Sequence, residues 1–64
     1  MKIHAGDLWI KRDESNIIVF IVDVEKDYLI KFQVIGIESP NNILMYATDF
    51  LELYRKIHQH DLSS

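Results

Sequence analysis

From residue 17 to residue 37 the chain reads IIVFIVDVEKDYLIKFQVIGI, two runs of β-branched and aromatic residues on either side of Glu25-Lys26-Asp27. Such runs favour strands, and together they predict a long antiparallel hairpin over residues 17–25 and 28–37. Alternation along a strand sends successive side chains to opposite faces. The polar residues Asp23, Glu25, Lys31 and Gln33 are all odd-numbered, so the even set is expected to face inward. Ile18, Phe20, Val22 and Val24 then oppose Tyr28, Ile30, Phe32 and Val34. Matching parity needs an odd-length loop, and a three-residue turn of Glu25-Lys26-Asp27 pairs Val24 with Tyr28 and Phe20 with Phe32. The outward set becomes Ile17, Val19, Ile21, Leu29, Ile35 and Ile37. Its apolar members gather at one end of the hairpin and the charged residues at the other.

The rest of the chain supplies shorter elements. Ala5-Gly6-Asp7 reads as a turn opening a first strand, residues 8–12, and Asp13-Glu14-Ser15-Asn16 is a run of turn-formers that closes a hairpin. A further turn at Ser39-Pro40-Asn41-Asn42 precedes a short fourth strand, residues 43–46. Then the period changes: Phe50, Leu53, Tyr54 and Ile57 are spaced as one face of a helix. Thr48 or Asp49 can cap it, with Glu52 at the capping-box position after Asp49 and Lys56 one turn beyond Glu52.

The predicted architecture is mainly β: four or five antiparallel strands and one C-terminal helix, curled into a small, partly open SH3-like barrel. A flat β-meander with the helix packed across it is the alternative. One domain is expected over residues 1–57, with the helix at about 49–59 and a loosely ordered tail at 60–64.

With 64 residues, nearly every inward position must serve the core, because a domain this small buries only roughly 60% of its unfolded surface. There is no cysteine, hence no disulfide and no thiolate ligand, which fits a reducing compartment. No apolar run approaches the roughly 20 residues of a membrane-spanning helix. MKIHAGD has no apolar stretch behind its charge, so no signal peptide is expected. A cytoplasmic protein without membrane association follows. Seven basic and ten acidic residues give a net charge of -3, which disfavours attraction to phosphates along a nucleic acid.

Catalytic chemistry has little to draw on. Ser15, Ser39, Ser63 and Ser64 fall in turns or the tail, the glycines are isolated, and no phosphate-binding loop or cofactor motif is present. His58 and His60 are two residues apart, nearly opposite on a helix, where metal ligands recur at three or four. No catalytic, cofactor or metal site is expected. A nucleic-acid surface is the second possibility, built on Trp9, Lys11, Arg12 and Lys31.

The frame Gly6-Asp7-Leu8-Trp9, followed by a hairpin, a Val- and Ile-rich strand and then Phe50-Leu51-Glu52-Leu53-Tyr54, resembles small SH3-like barrel proteins of phages and mobile elements. The likeness spans residues 5–57. It implies the barrel fold and no catalytic motif. It also implies regulation by occupying a surface of a host protein, as several small phage inhibitors do. An exposed apolar patch is the usual mark of such an interface. The residues expected to form it are Ile17, Val19, Ile35 and Ile37, with another protein or a second copy of the chain as the partner. Coverage of that end by the helix is the competing expectation.

Overall fold

The computed structural model describes residues 2–39 and 41–58. In chain order its elements are β1 (Leu8–Lys11), β2 (Ile18–Glu25), β3 (Leu29–Val34), β4 (Ile43–Tyr46), α1 (Ala47–Leu53) and β5 (Tyr54–Lys56). The strands form one antiparallel sheet in the order β4-β3-β2-β1-β5. The protein is therefore mainly β with a single helix among the described residues. The sheet is not closed, since β4 and β5 are its two edges. No described helix is long and apolar enough to cross a membrane.

The core is Ile3, Trp9, Val19, Ile21, Ile30, Phe32, Phe50 and Tyr54. Phe50 is the buried residue of α1. Its ring lies 5.2 Å from those of both Trp9 and Phe32 and 4.6 Å from that of Tyr54. One aromatic from the helix thus fills the concave side of a sheet that contributes a ring from each of β1, β3 and β5.

The phase of β2 differs from the expected one. Val19 and Ile21 are fully buried while Phe20 is 40% exposed, so the odd residues face the core in the first half of the strand. The cause is a β-bulge. β2 pairs with β3 as Val24↔Ile30 and Asp23↔Lys31 on the turn side, then shifts register between Ile21 and Asp23 to continue as Ile21↔Phe32 and Val19↔Val34. The extra residue, Val22, reverses which parity faces inward. A phase anchored on Asp23 and Glu25 therefore holds for Val24 and fails beyond the bulge. In β3 the expected even set does face inward, with Ile30 and Phe32 buried, whereas Tyr28 is exposed beside the turn.

The turn itself lies one residue further on than expected. Glu25 pairs with Leu29, leaving Lys26, Asp27 and Tyr28 as the loop. Lys26 and Asp27 have φ of 53° and 65°, and the Tyr28 N–H donates to the Glu25 carbonyl at 3.2 Å. Two consecutive left-handed residues give the turn sense that matches strand twist.

The helix is shorter and earlier than the expected 49–59. It starts at Ala47, with Tyr46 as N-cap and no side-chain cap, and Thr48 and Asp49 lie inside it. Tyr54 is no longer helical because it pairs with Lys11 of β1. Lys56 approaches Asp7 at 3.7 Å and does not serve as the i+4 partner of Glu52. The sheet outweighs local helical spacing here: a strand at this point supplies β1 with a second neighbour, satisfying backbone groups that a longer helix leaves unpaired. The expected tail, 60–64, lies outside the described residues.

Candidate protein-binding surface

Directly opposed residues in an antiparallel sheet share a face, so the register defines the outer surface. Across β1, β2 and β3 the pairs Leu8↔Phe20 and Phe20↔Gln33 form one outward row. The Ile57 N–H donates to the Leu8 carbonyl at 3.0 Å, which carries that row into the residue after β5. Ile10 pairs with Ile18 and with Arg55. The Ile35 N–H bonds the Ile18 carbonyl at 2.9 Å, setting Ile35 in a second row. Leu8, Ile10, Ile18, Phe20, Ile35 and Ile57 therefore make an apolar surface over β1, β2 and the residues that follow β3 and β5.

Burial supports this division. Leu8, Ile10, Ile18 and Ile57 are half-buried but are not among the partly buried residues packed against the core. Phe20 and Ile35 are 40% and 48% exposed. The helix does not cover them, because Phe50 is on the opposite, concave face with Trp9 and Phe32. Towards the hairpin turn the outer face becomes charged. Asp23 opposes Lys31, and the Lys31 ammonium lies 3.7 Å from Glu25. Between the two regions Gln33 donates to the Asn42 side-chain oxygen at 2.8 Å.

The expected contact residues are divided by this geometry. Val19 is fully buried in the core, and Ile17 packs against the core from its edge; both are corrections that follow from the bulge. Ile35 and Ile37 are exposed, at 48% and 51%. The expected separation of apolar and charged ends is present, carried by Ile18 and Phe20 in place of Ile17 and Val19. The residues missed from sequence are Leu8, Ile10, Ile18, Phe20 and Ile57. Alternation in LWIK marks Leu8 and Ile10 as one face; the bulge hides the other two on β2.

Trp9, Lys11, Arg12 and Lys31 do not converge. Trp9 is buried on the concave face, with its indole N–H unpartnered among the described residues. Lys31 is on the outer face opposite Asp23. Lys11 sits 3.8 Å from Asp13. The Arg12 main-chain N–H donates to the Leu53 carbonyl at 2.8 Å and its Nε to the Leu51 carbonyl at 3.2 Å, so this side chain closes the C-terminal end of α1.

Asp13 accepts from the hydroxyl and the backbone N–H of Ser15, and these bonds hold its carboxyl below the ordinary range. A shallow open groove is lined by Ile3, His4, Ala5, Asp23, Val24 and Asp27. No group of three or more metal-capable side chains converges among the described residues. His60 lies outside them.

Compared with protein-family models, with curated proteins and with solved structures, the chain matches none.

Proposed function

We propose that the chain is a non-catalytic protein-binding module that engages another protein through Leu8, Ile10, Ile18, Phe20, Ile35 and Ile57. The observation that carries this reading is an apolar face on the side of the sheet away from the core, with the helix on the other side. A domain this small gains by burying apolar area at about 25 cal/mol per Å². This face contributes nothing further to folding until a partner covers it. Phe20 and Ile35 are the natural anchors, since their exposed area is what association removes from water.

The resemblance of the Gly6–Trp9 and Phe50–Tyr54 frame to small SH3-like barrel proteins of phages and mobile elements supports a narrower reading. The module is a regulator or inhibitor that occupies a surface of a host protein in the cytoplasm. Its rim, with Arg55 at one side and the Glu25–Lys31 pair at the other, orients the partner while the apolar rows supply the affinity.

The test is differential capture from lysate of the source cell with the wild-type chain and with the Phe20→Lys and Ile35→Lys variants. A partner retained by the wild type and lost by both folded variants supports the reading. Equal retention by all three overturns it. Salt separates the contact classes: an apolar contact persists at high ionic strength, whereas a complex held by phosphates dissociates.

A further inference from the structure

The two edges of the sheet are unlike. β5 is three residues long and carries Arg55 and Lys56. β4, Ile43–Tyr46, carries no charge and no bulge, and nothing among the described residues pairs with its outer side. Residues 39–48 form the longest uncharged run in the chain. Protected edges are short, charged, bulged or covered, and β4 lacks these devices apart from its shortness.

Hydrogen-bond phase identifies the free groups. The Ala47 N–H donates to the Tyr28 carbonyl at 2.8 Å, so Ala47 is turned towards β3. N–H and C=O of one residue point to the same side, and the side alternates along the strand. Met45 and Ile43 are therefore bonded to β3, opposite Ile30 and Phe32. Leu44 directs both backbone groups to the free edge, and Tyr46 directs its N–H there, its carbonyl serving the first turn of α1. Leu44 and Tyr46 are also 54% and 59% exposed, and the Tyr46 ring stacks on Tyr28 at 6.1 Å.

We propose that this edge pairs with the β4 of a second copy, antiparallel about a two-fold axis through Leu44. Leu44 of each copy exchanges N–H···O=C bonds with its counterpart, and the Tyr46 N–H donates to the Asn42 carbonyl of the other copy. This register sets Ile43 opposite Met45 of the second copy. Both lie on the concave side, so the rims of the two cores meet. A self-complementary contact of this kind closes with two-fold symmetry. Absence of charge on the run favours it, because the two-fold axis sets Leu44 beside its own copy and each neighbour beside another residue of the same run, where a charge would meet no opposite one. A two-fold axis at the middle of β5 would set Arg55 beside Arg55, in a non-hydrogen-bonded pair because the Arg55 backbone groups face β1. The contact uses a different surface from the apolar outer face and stands or falls separately from it.

The test is sedimentation velocity from micromolar to millimolar protein, with hydrogen exchange of the Leu44 and Tyr46 amides over the same series. The wild type is expected to pass from monomer to dimer, with protection of both amides rising in step. Leu44→Lys places like charges at the two-fold axis and is expected to abolish the dimer while keeping the circular dichroism spectrum. Leu44→Pro removes only an outward donor, which an edge strand tolerates, and is expected to do the same; should it unfold, the lysine variant carries the test. A wild type monomeric throughout overturns the proposal. So does a dimer that survives Leu44→Lys, or amide protection at Leu44 that is independent of concentration, which would show the edge covered by the chain itself.

Discussion

The rings of Phe32 on β3 and Tyr54 on β5 lie 5.6 Å apart at 62°, although two strands separate their own in the sheet. In a flat sheet three inter-strand steps of about 4.8 Å would put those backbones about 14 Å apart. Rings this close across two intervening strands fit a twisted, rolled sheet, and Phe50 occupies its concave side, stacked on Tyr54 at 4.6 Å. The roll creates both faces of interest: a closed aromatic interior and a convex exterior that no described element covers.

Truncating the ring at the centre of that interior should be close to fatal. Phe50→Ala removes a fully buried ring and is expected to cost about 3–5 kcal/mol. A domain of this length has a total stability of only about 3–10 kcal/mol. Urea unfolding monitored by circular dichroism should show little or no folded baseline for the variant. A midpoint near that of the wild type would mean that α1 is not what fills the roll.

Tyr54 links the interior to alkaline pH. Burial, with Asp13 adding a smaller effect, raises its phenol above the ordinary value of 10.0. The folded state holds the proton more tightly than the unfolded chain. Its stabilising contribution is thus complete below pH 10 and is lost as pH rises through the folded value. Thermal unfolding followed across that range should show wild-type stability falling with pH, and Tyr54→Phe should flatten the fall. An unchanged slope in the variant would place the titrating group elsewhere.

Lys26 occupies a left-handed conformation, φ 53°, where a side chain costs about 1–2 kcal/mol. Lys26→Gly relieves that cost and returns part of it as unfolded-chain entropy. The net expectation is a gain of about 0.5–1 kcal/mol in urea unfolding. Loss of stability on this substitution would mean that the Lys26 side chain contributes more than its backbone costs.

Much of the fold is legible in the sequence because it depends on runs long enough to show their period. The β2–β3 hairpin, β4 and the turn at Asp13-Glu14-Ser15-Asn16 follow from composition and turn chemistry. The even-inward phase of β3 follows from Lys31 and Gln33. Three features are not legible, each for a physical reason. The bulge at Val22 lies within IIVFIV, where every residue is apolar and no polar position registers the change of phase. Tyr54 follows Phe50 and Leu53 at helical spacing, and only its pairing with Lys11, a residue 43 positions earlier in the chain, turns it into a strand. The outer surface inherits the first error: a one-residue shift exchanges Ile17 and Val19 for Ile18 and Phe20.

The most direct test of the account is a pair of neighbouring substitutions, Val19→Lys and Phe20→Lys, compared by urea unfolding. Val19 faces the core, and burying an unpaired ammonium there costs several kcal/mol, so Val19→Lys is expected to be unfolded in water. Phe20 faces the convex exterior, and Phe20→Lys is expected to keep a cooperative transition close to that of the wild type. A folded Val19→Lys beside an unfolded Phe20→Lys would return β2 to the opposite phase and remove the apolar outer face on which the proposed function depends.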